Sequence, residues 1–230
     1  MKSYLIKEHK LIKNKFYISA SKQQLNGNPK AYTYGFKEIE ISNMYQLAEV
    51  ANTNSVSAPL YKDGHRAGKN VIAGGNCIFI DCDSPKQAQN VESKIQQYNY
   101  VKIPSQSNNR FKYKWHFIIP TQTLLSTSPS AMEYQVRMFF NQVGITDNDI
   151  DTTGSYDMAR QFAPAVVEPY SVTIKETREV FTAGLSLKKA NEFSVVNETD
   201  LYVPLIQETE IPTTLKEAAL ISYRPKMKPI

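Results

Sequence analysis

The stretch CIFIDCDSP, residues 77–85, joins a run of apolar and β-branched residues to two carboxylates. Such a run predicts a buried strand, and side chains alternate between the two faces of a strand. Asp81 and Asp83 are two positions apart, so we expect them on the same face, where their charges repel each other. A divalent cation between them would remove this repulsion. The competing interpretation is that the two aspartates begin a turn and cap the next helix.

Helices are predicted on both sides of this strand. Upstream, residues 36–42 alternate like a strand, and Ser42 is suited to cap a helix whose apolar side carries Met44, Leu47, Ala48 and Ala51. Downstream, Ser84 and Pro85 are suited to begin a helix whose packed side carries Ala88, Val91, Ile95 and Tyr98. A longer helix is predicted within residues 128–144, where Ser-Pro precedes it and a glycine ends it.

The next predicted strand, residues 110–119, alternates strictly between two kinds of side chain. The apolar face, which predicts a core face, consists of Phe111, Tyr113, Trp115, Phe117 and Ile119. The opposite face consists of Arg110, Lys112, Lys114, His116 and Ile118. A row of lysines is often only a solvated surface. Because Lys114 and His116 lie nearer the end of the strand, they are the stronger candidates for binding phosphate.

A third polar segment, DNDIDTTGSYDMARQFAP at residues 147–164, supplies further carboxylates. Asp149, Asp151 and Asp157 lie among Asn, Thr, Ser and Gly, for which turn formation is the default interpretation. Asp151 could nevertheless complete a set of three with the two aspartates of the first strand. Two-metal phosphoryl transfer needs carboxylates for the ions and cations for a triphosphate, and this chain offers both.

Taken in order, the three segments resemble the motifs of the archaeo-eukaryotic primase superfamily, particularly the primase-polymerase domains of phage and plasmid replication proteins. The first motif of that family is an apolar strand ending in D-x-D, as in CIFIDCD, and the second is a strand carrying a histidine, as in KWHFIIP. The third is an apolar residue and an acid with an arginine after them, as in Ile150, Asp151 and Arg160. The resemblance covers about residues 40–165, including VSAPLYKDGHRAGKN before the first strand.

This resemblance implies a fold and a domain organisation. The expected fold class is α/β (α+β), with an RRM-like sheet packed against a smaller N-terminal α/β part. The catalytic domain would span residues 1–205. Residues 206–230 are proline-spaced and are expected to be a linker or appendage, leading to a downstream domain.

The resemblance also implies an activity, which is template-directed nucleotidyl transfer by a DNA primase and DNA polymerase. The expected metal ligands, for Mg²⁺ or Mn²⁺, are Asp81, Asp83 and Asp151. The expected nucleotide-binding residues are His116, Lys114, Arg160 and Lys112. Lys114 stands where the family commonly has serine, and a lysine there can still meet a phosphate as a point charge. The expected partners are a single-stranded DNA template, nucleoside triphosphates and a helicase domain or helicase partner.

Composition agrees with an anionic partner, because the net charge is +5 and the pI is near 9.0. Cys77 and Cys82 are expected on opposite faces of one strand, so neither a disulfide nor a zinc cluster is predicted. No apolar run approaches the roughly 20 residues of a membrane span, and the N-terminus lacks the apolar core of a signal peptide. We therefore expect a soluble, cytoplasmic protein with no membrane partner.

Two other functions compete with nucleotidyl transfer. A replication-initiator nuclease would cut DNA through a tyrosine, but such enzymes usually carry an H-x-H metal motif, and His116 has no histidine two positions away. A non-catalytic single-strand binder would use the aromatic and basic residues alone. It leaves the three acidic positions unexplained, because carboxylates repel phosphate unless a metal intervenes.

Overall fold

The computed structural model describes residues 16–21, 33–107, 113–122, 124–164, 172–177 and 181. The predicted domain boundary at residue 205, the linker at residues 206–230 and Lys112 lie outside these described residues. The described chain is of mixed α/β class with antiparallel sheets, as predicted for an α+β protein.

Strands and helices follow one another in this order: β1 (Phe16–Ser21), β2 (Lys37–Ile41), α1 (Met44–Thr53), β3 (Ser55–Ser57), β4 (Leu60–Tyr61), β5 (Val71–Ala73), β6 (Cys77–Cys82), α2 (Pro85–Lys94), β7 (Tyr100–Pro104), β8 (Trp115–Pro120), α3 (Pro129–Val143), α4 (Thr152–Tyr156) and β9 (Thr173–Lys175). Short 3₁₀ turns occur at Lys62–Gly64, Gly68–Asn70 and Asp147–Asp149.

A four-stranded sheet with the order β6-β8-β7-β9 forms the centre of the fold, and all its neighbouring strands are antiparallel. Strands β6 and β7 are joined by α2, and β8 lies between them, which makes a split β-α-β unit. The strand predicted within residues 110–119 is observed as β8, Trp115–Pro120. Its register with β6 sets His116 directly opposite Asp81.

Helices α2 and α3 cover one face of this central sheet. The buried residues on that side include Ile80 and Phe117 of the strands and Val91, Val136 and Phe139 of the helices. This packing explains why α2 and α3 are amphipathic, since an apolar stripe on a helix needs a sheet to bury it. The predicted α2 core positions are all buried, as expected from their spacing.

The N-terminal elements cover the opposite face of the central sheet. Helix α1 and the antiparallel sheet β2-β1-β3 bury Phe79 and Ile118 of the central strands against side chains such as Leu47 and Ile18. His116, which ends the predicted row of cations on β8, is buried under this layer and is only 5% exposed. Alternation along a strand distinguishes its two faces, but it cannot show that a second layer covers the polar one.

Most predicted helix ends agree with the structure. Ser84 Oγ accepts the N–H of Gln87 at 3.2 Å, and Gly144 ends α3 with a φ of 77°. The predicted Ser42 cap of α1 is wrong, because the cap is Asn43, whose Oδ1 accepts the N–H of Gln46 at 2.8 Å. Both residue types cap helices well, so the sequence does not separate two neighbouring candidates.

The two cysteines are free and buried on opposite faces of β6, as predicted. Strand β6 is buried along its whole length, which matches its apolar sequence. Among the helices in the described ranges, none is both long and apolar enough to cross a membrane.

Candidate active site

Asp81 lies near the end of β6 and is paired across the sheet with His116 of β8. The carboxylate is buried, with a side chain only 3% exposed, and its Oδ1 lies 3.4 Å from His116 Nε2. The backbone N–H of Asp81 donates to Ser155 Oγ at 3.0 Å, which ties the strand end to α4. Because both residues are within strands, the sheet fixes their positions.

His116 is held between a ring and a carboxylate. The Phe162 ring stacks on the imidazole at a centroid distance of 3.8 Å with an interplanar angle of 6°, and Phe79 also stacks on Phe162, at 4.7 Å. Burial lowers the pKa of His116 even though Asp81 acts in the opposite direction, so the imidazole is neutral near pH 7. With its Nε2–H directed at Asp81, its other nitrogen, Nδ1, is buried without a hydrogen-bond partner among the described residues.

Arg160 supplies the positive charge next to Asp81, because its Nη2 donates to Asp81 Oδ2. The segment that carries Arg160 is fixed to β3. Val56 and Phe162 exchange two backbone hydrogen bonds of 2.8 Å, and Ser57 Oγ donates to the Arg160 carbonyl at 2.6 Å. Burial opposes ionisation of Asp81, yet the hydrogen bond from His116 and the guanidinium of Arg160 hold its pKa below the usual range.

Asp151 reaches the same place from the start of α4, Thr152–Tyr156. Its backbone N–H donates to the Asp81 carbonyl at 2.8 Å, and its Oδ1 accepts the N–H of Thr153 at 3.1 Å. A Cβ atom on Gly154 would lie 2.6 Å from Asp81 Oδ2 and 3.0 Å from Asp151 Oδ2. The two carboxylate oxygens are therefore separated by no more than the sum of these distances, and both lie so close to Gly154 that a side chain there would collide with them.

Asp83 and Lys114 form an ion pair beyond the ends of β6 and β8. The Asp83 side chain is 47% exposed, whereas that of Asp81 is buried. Asp83 also donates its backbone N–H to Gln87 Oε1 at 2.8 Å in the first turn of α2. The structure thus brings Asp81, Asp151, His116 and Arg160 into contact, and places Asp83 with Lys114 at the solvent-exposed rim.

An open cleft of about 280 Å³ adjoins this cluster. Its lining is mainly polar and basic and includes Arg66, His116, Arg160, Ser105, Ser107 and Gln161, with Asp157 as an acid. Three lining residues have a buried nitrogen that lacks a hydrogen-bond partner in the described part of the chain: Arg66 Nε, Arg160 Nε and His116 Nδ1. Buried polar atoms are normally paired, so these three nitrogens mark the cleft residues whose side chains have hydrogen-bonding capacity left.

Sequence reasoning missed three contributors to this site. Arg66 reaches the cleft from a basic loop, where its Nη1 donates to the Ala159 carbonyl at 2.7 Å. Phe162 follows Arg160 by two positions, and Gly154, which has no side chain, lets the two carboxylates pack closely against α4. The basic loop and the polar segment were recognisable, but no periodicity indicates which loop residue points into a cleft.

Whether these residues suit a divalent cation can be judged from the donor set. In the described ranges, no three Asp, Glu, His or Cys side chains form a group that could hold a metal ion. Arg160 and His116 engage Asp81, and Lys114 engages Asp83. Mg²⁺, however, is commonly held by one or two carboxylates together with waters and substrate phosphates. Asp81 Oδ2 and Asp151 Oδ2, which both lie close to Gly154, fit that mode of binding as a pair of carboxylates.

Comparison with known proteins adds no family to this description. No family model, no curated protein and no solved structure matches the chain. Function has to be inferred from the side chains of the cleft and the carboxylate cluster.

Proposed function

We propose that the chain is a nucleotidyltransferase of the primase-polymerase type, which extends a DNA or RNA primer on a single-stranded DNA template. One observation carries this proposal. A pair of close carboxylates, Asp81 and Asp151, adjoins a basic cleft whose buried nitrogens on Arg66, Arg160 and His116 lack partners. Carboxylates beside a site for anions are the combination that metal-assisted phosphoryl transfer requires.

In this proposal, the residues of the cleft and of the carboxylate cluster have different roles. Arg66 and Arg160 are suited to phosphate oxygens, because a guanidinium presents several donors in a planar fork. His116 turns one nitrogen to Asp81 and leaves Nδ1 to accept a hydrogen bond from a hydroxyl or a bound water. Asp81 and Asp151, with Asp83 at the rim, would hold Mg²⁺ or Mn²⁺. When bound, such an ion stabilises negative charge on the attacking and leaving oxygens.

Arg160 and Lys114 have a second part in this scheme. Each now neutralises a carboxylate, Asp81 and Asp83 respectively, which answers how two acids at one strand end are tolerated. Both cations are on side chains long enough to turn from a carboxylate toward a phosphate. We therefore assign both side chains to the triphosphate. A lysine at position 114, where the family commonly has serine, is compatible with this role.

The fold is compatible with the archaeo-eukaryotic primase superfamily, but the fold alone does not identify that family. The split β-α-β unit of β6, α2 and β7, with β8 between the strands, agrees with the first three strands of an RRM-like sheet. Strand β9 departs from it, since it pairs with β7, whereas an RRM-like fourth strand would lie beside β6. The proposal includes three further statements: the chain belongs to the archaeo-eukaryotic primase superfamily, it acts in phage or plasmid replication, and it works with a helicase.

A non-catalytic single-strand binder is the second candidate, and the ion pairs favour it. Because Arg160 and Lys114 neutralise Asp81 and Asp83 without a metal, the cluster could be purely structural and the basic cleft could bind a nucleic acid backbone. The two functions differ in whether nucleotides are incorporated.

Primer extension with labelled nucleotides tests the proposal, in the presence of Mg²⁺ and separately of Mn²⁺. The wild-type chain should extend a primer on a single-stranded template, and the double variant Asp81→Ala/Asp83→Ala should be inactive, with loss of about a thousandfold or more. Incorporation by the double variant within tenfold of wild type would refute the assignment. A wild-type chain that binds the template but incorporates nothing would establish the second candidate.

A further inference from the structure

Tyr34 and His65 form an aromatic pair on the surface, outside the carboxylate cluster. Their rings are stacked at a centroid distance of 4.2 Å with an interplanar angle of 25°. Tyr34 is 55% exposed, the largest exposed fraction among the large hydrophobic side chains of the described residues. A tyrosine stacked on one side and open on the other exposes an aromatic surface to which another ring can be added.

The backbone holds this aromatic pair in place. The N–H of Arg66 donates to the Thr33 carbonyl at 2.6 Å, and the N–H of Phe36 donates to the Gly64 carbonyl at 3.2 Å. Gly64 has a φ of 65°, and a Cβ there would lie 2.7 Å from the Phe36 carbonyl oxygen, so only glycine permits this close approach. The two loops are thus fixed against each other, which lowers the entropy cost of binding.

The pair is connected to the cleft through the next residue along the chain. Arg66 follows His65 directly, and its side chain lines the cleft beside Arg160 and His116. Lys62 and Lys69 are exposed on the same loop, with Asp63 as its single acid. An exposed aromatic ring is therefore held on a loop that carries several positive charges, and aromatic and basic side chains together are the combination used to bind single-stranded nucleic acids.

We propose that Tyr34, stacked on His65, binds a base of the single-stranded nucleic acid while Arg66 contacts its backbone phosphate. This inference rests on the proposed function, because the single strand that Tyr34 binds would be the template. A single strand is the occupant that fits, because its bases can leave the stack and place a face on Tyr34. The bases of a duplex are already stacked on each other, so a duplex gains nothing from the tyrosine.

Fluorescence anisotropy of a labelled oligothymidylate, without metal or nucleotide, tests this assignment. Tyr34→Ala should weaken binding about tenfold or more, since stacking on an aromatic side chain contributes about 1–3 kcal/mol per base. Tyr34→Trp should retain the wild-type affinity. The matched control is Tyr45→Ala, which removes a tyrosine of similar exposure, 45%, from α1 and should leave binding unchanged. Thermal unfolding should give similar midpoints for all variants.

Two results would overturn the assignment. One is an oligonucleotide affinity of Tyr34→Ala equal to that of wild type. The other is a Tyr34→Ala variant that loses affinity for a nucleoside triphosphate but not for the oligonucleotide, which would make Tyr34 a contact of the incoming nucleotide. The binding assay needs no catalysis, so it can succeed in a chain that fails primer extension, and primer extension can succeed where Tyr34 has no role.

Discussion

Two aspartates, Asp81 and Asp149, are similarly buried but have different surroundings. Asp149 is 7% exposed in its side chain and accepts hydrogen bonds from Lys94 Nζ at 2.6 Å, from the N–H of Thr146 at 2.8 Å and from Asn90 Nδ2 at 3.0 Å. It closes a capping box around a 3₁₀ turn. Burial opposes its ionisation, but these donors keep its pKa well below the usual range.

Asp81 is as deeply buried, and its pKa is lowered too, so neither burial nor pKa separates the two residues. The difference lies in their partners. The residues that bind Asp149 belong to α2 and to the turn that contains Asp149 itself, whereas His116 and Arg160, which bind Asp81, line an open cleft and each have an unpaired nitrogen among the described residues. A perturbed carboxylate is therefore a sign of function when its partners have hydrogen bonds left to make, and a sign of stability when they do not.

Asp81→Asn should separate the two roles most strongly. We expect primer extension to fall about a thousandfold, or about 4 kcal/mol, because the amide cannot ligate a metal as the carboxylate does. The thermal midpoint should fall by less than that of Asp149→Ala, since Asn has nearly the same volume and its Oδ1 can still accept a hydrogen bond from Arg160, although the ion pair is lost. A variant that unfolds at a much lower temperature would show that Asp81 is a structural residue like Asp149.

Asp149→Ala should have the opposite pattern. Its removal leaves Lys94 without its partner and breaks the capping box at Thr146, for an expected loss of about 3 kcal/mol in the free energy of unfolding. Urea denaturation measures this loss. At temperatures where the variant is folded, its incorporation rate should stay within a few-fold of wild type, and a rate lower by orders of magnitude would contradict the comparison.

Gly154→Ala tests whether the close packing of the two carboxylates against Gly154 is needed for activity. The added Cβ would lie 2.6 Å from Asp81 Oδ2 and 2.9 Å from Asp81 Cβ, so the buried carboxylate must shift. Displacements of about 1 Å in an active site can cost about a hundredfold in rate, and we expect a loss of that order in primer extension. Gly68→Ala is the matched control, because a Cβ there meets nothing within 4 Å. Equal rates for the two variants would remove Gly154 from the site.

Acid should destabilise the wild type more than Asp149→Asn. A carboxyl whose pKa is lowered in the folded state stabilises the protein fully above its unfolded pKa of about 3.9, and this contribution is lost as the pH falls toward the folded value. The urea midpoint of the wild type should therefore fall further between about pH 6 and about pH 3 than that of Asp149→Asn, in which this group cannot titrate. Parallel decreases in the two proteins would show that Asp149 contributes no pH dependence.

Lys114→Ala should have the smallest effect. Its ion pair with Asp83 is partly exposed, and such pairs contribute about 1 kcal/mol or less to stability. We expect an unchanged thermal midpoint and a few-fold rise in the KM for the nucleotide, measured by primer extension at varied nucleotide concentration. Lys86→Ala, which removes an exposed lysine of α2, serves as the control. An unchanged KM would leave Lys114 only the role of neutralising Asp83.

The sequence predicted the elements of the fold better than the site they build. Period and capping residues located β6, α2 and α3, because these signals are local. The polar ends of two strands drew attention to Asp81 and His116, which are paired across the sheet. Their direct pairing depends on register, and the burial of His116 depends on an N-terminal layer that covers the sheet. Arg66 and Phe162 enter the site from loops, whose course is set by contacts distant in sequence.

The contacts that fix the segment around Arg160 affect how the protein folds. Arg160 meets Asp81 across 79 positions of sequence and Ser57 across 103, while Arg66 reaches Ala159 across 93. Contacts of such separation require large loops to close, which costs entropy and slows folding. The split β-α-β unit can form from elements that are neighbours in sequence. The cleft, in contrast, can form only after the residues near position 160 have packed against the rest of the chain. We therefore expect the cleft to be among the last parts of the molecule to become ordered, with interactions largely absent from the folding transition state.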